Sequence, residues 1–445
     1  MDHIDLVRRG RANLCVGRAS ILFAGIVCNF VMTGNDADGA EPSTTQASVD
    51  GPLAGVRVLE LGSFIAGPFA GQLLGDYGAE VIKVEPPGDG DPMRRWGVVR
   101  DGESLWWPSI ARNKRSVCID LRAEAGRDLV RRLAAHSDVV LENFRPGRLQ
   151  DWGLGFDALS ALNPRLVMVH VSGFGQTGPR SQSTGFWSVG EAVGGIRYTT
   201  GEPGRSPSRT GISLGDALAA LFAVVGALAA LNEGHATGRG QEVDVAIYEA
   251  VLALMESSMA DLELGGVRRE RTGSILRGVA PSNVYPTADG TDVVIAANAD
   301  SIFVRLCAVM GRTDLSTDLR FQTHIARGSH AKELDALISE WTKTMPTDEL
   351  LAALEAEGVP AGLIFTADDM LQDAHYAVRE MVVRRPSFQG WEVPMQGVVP
   401  KFSRTPGRIR ETGPRLGADT KEVLCKLGGL GLEEYETLEA AGIIA

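Results

Sequence analysis

Strands that alternate with helices along a 445-residue chain predict an α/β protein built on a parallel sheet. Two bulk observations support this. Apolar residues make up 44% and charged residues 22%, which is ordinary for a globular protein. The length exceeds what one compact core holds, so more than one domain is expected.

The elements follow in order. VRVLEL at 56–61 is a β-branched run bounded by Gly55 and Gly62, and a helix follows over 67–77. VIKV at 81–84 is the next strand, stopped by Pro86 and Pro87. A third strand covers 117–121, and 123–136 is an amphipathic helix with Leu129, Val130 and Leu133 on one face. Strands follow at 139–141 and at 166–171 (LVMVHV), the latter ended by Gly173. Residues 217–231 are nearly all apolar. At 15 residues this run is too short for a membrane helix, so it reads as a buried core helix entered by Gly215-Asp216. A strand at 241–247 and a helix at 248–259 complete the first pattern.

From about residue 272 the rhythm changes. A strand at 291–297, helices at 302–310, 331–344 and 347–357, and a strand at 361–365 suggest a second, smaller α/β domain. Residues 389–402 read as irregular or strand, and 420–445 as helical. The expected organisation is a leader at 1–51, a large domain at 52–270, a small domain at 271–386, and a return to the large domain over 387–445.

The leader has its own composition. Arg8, Arg9, Arg11 and Arg18 precede an apolar stretch at 19–32, and a small-polar stretch follows. That is the order of a secretory signal peptide. The alternative is a start codon placed upstream of the true domain, with disordered sequence ahead of it, and this is the favoured reading.

The net charge is −12 and the pI about 5.2. An acidic chain argues against a partner bound through nucleic-acid phosphates, though not against a local basic pocket. The five cysteines are scattered, with no C-x-x-C spacing, so neither a disulfide framework nor a zinc site is expected. The seven histidines show no metal pattern either. No P-loop is present.

A set of short motifs is more informative. LAGVRVLEL at 53–61, AGPFA at 66–70, LGDYGAEVIKVE at 74–85, RNKRS at 112–116, ENFRPG at 142–147, SGFGQTGP at 172–179, LGD at 214–216 and TGRGQ at 237–241 stand in one order. In that order and spacing the chain resembles the class III CoA-transferase family, which includes formyl-CoA transferase and α-methylacyl-CoA racemase. The resemblance covers about residues 53–440. It implies two interlocked α/β chains, each with a large Rossmann-like domain and a smaller one, and active sites between subunits. The implied partners are an acyl-CoA, a small carboxylic acid and a second copy of the chain, with no nucleic acid and no membrane. CoA enters as substrate, and no permanently bound cofactor is implied. Such chemistry needs an intracellular substrate, so a cytoplasmic location is expected, or the mitochondrial matrix in a eukaryote.

By the same resemblance Asp216 is the nucleophile. The helix dipole at the start of a long apolar helix favours the ionised carboxylate that attack on a thioester requires. Its plain structural alternative is an N-cap. The resemblance places CoA contacts at Ile65, Ala66, Arg112, Asn113, Lys114, Asn143 and Phe144, with Arg145 and Arg148 close by. The alternative for the 112–115 cluster is a solvated basic turn.

The chain also departs from the family pattern. Pro86 stands where formyl-CoA transferase has an Arg, Asp151 where a basic residue is common, Ile65 at a Gln and Trp187 at an active-site Glu. Phosphate contacts are therefore expected from Arg94, Arg95, Arg145 or Arg148, and formyl or oxalyl specificity is doubtful. The racemases carry a His-Asp pair within 185–187, where this chain has Gly185, Phe186 and Trp187, which do not transfer protons. Glu191, one helical turn past Trp187, is the one candidate to substitute for that pair, and the favoured reading is an ordinary solvated residue. GVAPSNVY at 278–285 and NADSIF at 298–303 resemble the branch that uses succinyl-CoA and other dicarboxylates, with Arg271 or Arg277 to hold the second carboxylate. The expected activity is CoA exchange through an aspartyl-CoA thioester. The alternatives are a racemase-like isomerase and a non-catalytic subunit of a heteromeric transferase.

Overall fold

The computed structural model describes residues 51–183 and 187–445. All but the last residue of the expected leader, and residues 184–186, lie outside the described residues. Six parallel strands form the central sheet: β1 (Arg57–Glu60), β2 (Glu80–Glu85), β3 (Lys114–Cys118), β4 (Val139–Glu142), β5 (Val167–Ser172) and β6 (Glu242–Ala246). Their spatial order is β3-β2-β1-β4-β5-β6. The order reverses between β1 and β4. At such a switch point the connecting loops part and leave a crevice beyond the carboxyl ends of the strands.

Five helices pack on the sheet or on one another: α1 (Ala66–Asp76), α2 (Glu124–Ala134), α3 (Trp187–Val193), α4 (Leu214–Thr237) and α5 (Ile247–Leu252). The inner strands are buried on both faces, which is why VI at 81–82, VVL at 139–141 and VMV at 167–169 read as short apolar runs. Alternate residues feed two cores. Val58, Val81, Val139 and Val169 pack with α1, α4 and α5. Leu59, Ile82, Val140 and Met168 pack with α2 and with the C-terminal helices Thr420–Lys426 and Leu432–Ala440.

The apolar run expected at 217–231 belongs to a longer helix. α4 spans 24 residues and stops at Gly238, whose φ of 77° supplies the left-handed C-terminal turn. It is long and apolar enough to cross a membrane, yet half of that window is buried in the protein. Alanines 219, 220, 223 and 227 give it a close fit to the sheet, while Leu221, Phe222 and Val225 are exposed.

A three-stranded antiparallel sheet follows, with β8 (Asp292–Ala296) between β7 (Ser282–Pro286) and β9 (Ala361–Leu363). Phe303, Leu306, Leu334, Ile338, Leu350 and Leu354 form its core. Strand β7 is not evident in the sequence, because Ser, Asn and Pro are poor strand formers. Val382–Pro386 and Glu392–Gln396 form a hairpin, so the segment read as irregular or strand contains a strand.

The charged residues inside β1 to β3 have a physical account. Lys83 holds Glu60 at 2.9 Å and Asp91 at 2.7 Å, and Lys114 holds Glu60 at 2.7 Å, all fully buried. Gly71 of α1 lies directly over this cluster. A Cβ there would stand 1.9 Å from Glu60 Oε2, so only glycine lets α1 lie flat on β1.

Candidate active site

A cleft of about 300 Å³ opens at the carboxyl ends of β1, β4 and β5. Its walls are Ser63, Phe64, Ile65 and Ala66 between β1 and α1, Asn143, Phe144 and Arg145 after β4, and Ser172 and Gly173 after β5. Trp96, Ile247 and Asp216 complete it. Five of the expected CoA contacts therefore meet the expected nucleophile in one cavity.

Asp216 is the third residue of α4, not its N-cap; that position is Ser213. The carboxylate is 5% exposed, and its Oδ2 is buried without a hydrogen-bond partner. An orphaned buried carboxylate oxygen in a cleft is unusual enough to need a functional reason. The helix dipole does not settle its charge as the sequence suggested. Burial, then the negative charge of Glu191, pushes the carboxyl up to about 7, against a partial pull from Arg209.

The loops around Asp216 are stitched together by side chains. Asn143 Oδ1 accepts the Ser63 N–H at 2.8 Å, and its Nδ2 donates to the Ser63 carbonyl at 2.8 Å. Asn143 thus spends its amide on tying β1 to β4 across the switch point. Phe64 sits at φ 64°, a costly conformation for an aromatic residue, and its N–H is held by Asp91. The strained turn aims the start of α1 at the cleft. No side chain caps α1, so its first-turn N–H groups can serve a phosphate or an oxyanion. Below the β4 turn, His170 lies between Glu142 at 2.5 Å and Glu242 at 3.1 Å. Burial opposes a charged ring, but the bonds and charges of the two carboxylates outweigh it and hold His170 above the ordinary histidine value. Glu142 in turn accepts the Phe144 N–H at 2.6 Å, which fixes the turn that carries Phe144 and Arg145.

Other expected site residues lie elsewhere. Arg112 is buried against Asp76 and the Gln396 carbonyl, and Asn113 binds Asp76 and the Arg408 carbonyl. Lys114 binds Glu60 and the Pro68 carbonyl. The RNKRS cluster is therefore not a solvated basic turn. Asn113 and Lys114 border a depression at the amino ends of β2 and β3, away from Asp216. Arg148 stands over the Trp152 ring, outside the cleft walls. Arg94, expected as a phosphate contact, is buried with Glu85 and stacked on Trp107. Arg95 pairs with Asp89 at the surface. Arg271 stacks on Tyr198, and Arg277 lines another cavity with Arg269.

Glu191 corrects the sequence reading: it is buried and faces the start of α4, not solvent. Arg209, the cation that acts on Asp216, was not singled out in the sequence. No motif marks these two residues, because their proximity to Asp216 exists only in the folded chain. Gly185 and Phe186, on which the racemase comparison turns, lie outside the described residues, as does the side chain of Trp187.

Comparisons with known proteins place the chain in a family. A family model described as CoA-transferase family III matches residues 53–420. The chain is 56% identical over 394 residues to the succinyl-CoA–D-citramalate CoA-transferase of Chloroflexus aurantiacus, covering 88% of this chain and 98% of that one. It is 39% identical to the alpha subunit of a succinyl-CoA–L-malate CoA-transferase of Chloroflexus aurantiacus, over 91% of this chain and 94% of the other. Among solved structures, a CaiB/BaiF family protein from Brucella suis matches with TM-score 0.75 and 36% identity, covering 85% of this chain and 100% of that one.

Proposed function

Because the chain belongs to CoA-transferase family III and is a CoA-transferase, we propose that it exchanges CoA between a dicarboxylyl-CoA, succinyl-CoA foremost, and a free carboxylic acid through Asp216. The observation that carries this reading is the buried, unpartnered Asp216 carboxylate in the switch-point cleft. An Asp216 oxygen attacks the thioester carbonyl carbon, the C–S bond breaks, and CoA leaves as thiolate. The thiolate attacks Cγ of Asp216, and the donor acid leaves as carboxylate from the mixed anhydride. The enzyme then holds an aspartyl-CoA thioester. The acceptor carboxylate attacks Cγ and releases thiolate, which attacks the acceptor carbonyl carbon, gives the new acyl-CoA and frees Asp216. First-turn N–H groups of α1 support the oxyanions. The similarity to two succinyl-CoA-dependent CoA-transferases supports succinyl-CoA as donor.

Arg209 is assigned to the distal carboxylate of a diacid, since it is exposed on the segment before α4 and its charge reaches Asp216. Arg209→Ala is expected to raise KM for a diacid acceptor about tenfold, the value of one charge-assisted hydrogen bond, and to leave a monoacid unchanged. Equal effects on both acids would remove the assignment.

The exposed Leu221, Phe222 and Val225 of α4, with Leu252, Leu254 and Met259 beyond it, support the interlocked homodimer as the assembled form. Native mass spectrometry is expected to give twice 47.4 kDa, or twice the mass of whatever shorter chain is present. The similarity to an alpha subunit supports a second reading, a heteromeric enzyme. A lone chain that binds acyl-CoA but turns over only with a second polypeptide would favour it.

A further inference from the structure

Helix α3 brings a second carboxylate to the start of α4. Glu191 is 1% exposed. Its Oε1 accepts the Gly215 N–H at 3.2 Å, and its Oε2 holds Arg197 at 3.0 Å. That N–H is one of the first-turn donors of α4, which no carbonyl of the helix can serve. Ser213 makes no side-chain cap bond. Glu191 thus does the capping that the sequence allowed for Asp216, and Oδ2 of Asp216 stays without a partner.

From this cluster we propose that Glu191 is a positioning residue for CoA transfer: its charge, clamped by Arg197 against the α4 N-terminus, makes the free Asp216 carboxylate the least stable state of the site and so favours acylation of Asp216. The proposal rests on the aspartyl reading above. Two like charges in a buried site repel strongly. When an Asp216 oxygen bonds to the thioester carbonyl carbon and the C–S bond breaks, the negative charge departs with the thiolate. The anhydride and the aspartyl-CoA thioester are neutral at Asp216. The repulsion therefore acts on the free enzyme and vanishes in the covalent states, which is the differential effect that catalysis needs. Arg197 holds Glu191 Oε2 at 3.0 Å, which fixes that carboxylate beside the start of α4. Arg145 lines the same cleft from the β4 turn, and several other polar groups nearby are paired elsewhere. Tyr248 bonds Glu249 on α5, Asp244 accepts the Gln176 N–H, His170 lies between its two carboxylates, and Asp76 of α1 holds Arg112. Glu191 and Arg209 are the charges that act on Asp216.

Glu191→Gln keeps the shape and an oxygen able to accept from Gly215, and removes the charge. Acylation by succinyl-CoA, followed by rapid quench and intact mass, reads the effect. In the wild-type protein its rate is expected to rise through a pKa of about 7. In Glu191→Gln that pKa falls by about one unit, and the equilibrium fraction of adduct at alkaline pH falls about tenfold. Glu191→Asp restores the wild-type profile. A purely structural role would change melting or adduct yield and leave the pKa in place, and that result, or a profile that coincides with wild type, overturns the proposal. If Glu191→Gln does not fold, Arg197→Gln reads the same charge from the other side: the pKa is expected to rise, and a fall or no change counts against it. Absence of any adduct in the wild-type protein would sink the aspartyl reading itself.

Discussion

Asp216→Asn is expected to lower turnover by at least about 10⁴-fold, the scale seen when a covalent nucleophile is lost, and at the same time to stabilise the fold at alkaline pH. The second effect follows from the buried carboxyl. Its value is about 7 in the folded protein, against an ordinary 3.8. Below about pH 4 the acid is neutral in both folded and unfolded states. As pH rises through the folded value, the folded protein must give up a proton that the unfolded chain has already released, and stability is lost over that window. Asparagine carries no such penalty. The variant is expected to melt a few degrees above wild type at pH 8, with the gap closing towards pH 4. Turnover within about tenfold of wild type would show that Asp216 is not the nucleophile. The combination of lost activity and gained stability marks a site where function is held at the expense of the fold.

Arg112→Ala is expected to destabilise the protein by about 3–5 kcal/mol without changing KM for acyl-CoA in the fraction that folds. Arg112 is 2% exposed and reaches Asp76 Oδ2 at 2.6 Å and Oδ1 at 3.0 Å, while its Nη1 donates to the Gln396 carbonyl at 2.6 Å. It joins the end of α1 to the 382–396 hairpin. Burial already pushes the Asp76 carboxyl up against the bonds and charge of Arg112. With the guanidinium gone, the carboxylate is left buried without a cation, held by the Asn113 amide at 2.8 Å. The urea midpoint is expected to drop sharply. A variant of unchanged stability with a raised KM for CoA would restore Arg112 to the ligand role implied by resemblance.

The central sheet was legible because its inner strands are buried on both faces, so VVL at 139–141 and VMV at 167–169 stand out as apolar runs. Strand β7 was not, since an edge strand written SNVYP carries neither alternation nor β-branched density. The start and end of α4 were misjudged by three to six residues: the apolar run ends before the helix does, and Gly238, not hydropathy, stops it. Asp216 was legible from the order of motifs around it, whereas its environment was not. A Glu four residues along a short helix gives no sign of being buried beneath another helix's first turn. The misplacement of Arg112, Asn113 and Lys114 was avoidable in principle. Glu60 inside VRVLEL and Asp76 inside LGDYG are carboxylates in core elements, and buried carboxylates need cationic partners. The nearby basic cluster was the natural supply.

The most direct test of the account is intact-protein mass spectrometry of the wild-type chain and Asp216→Ala after mixing with succinyl-CoA, with hydroxylamine or borohydride to trap the acyl group. The account predicts an added CoA, or its trapped derivative, on wild type alone, and peptide mapping to Asp216. Acyl-CoA that binds and turns over with no adduct, or an adduct that persists in Asp216→Ala, would contradict it.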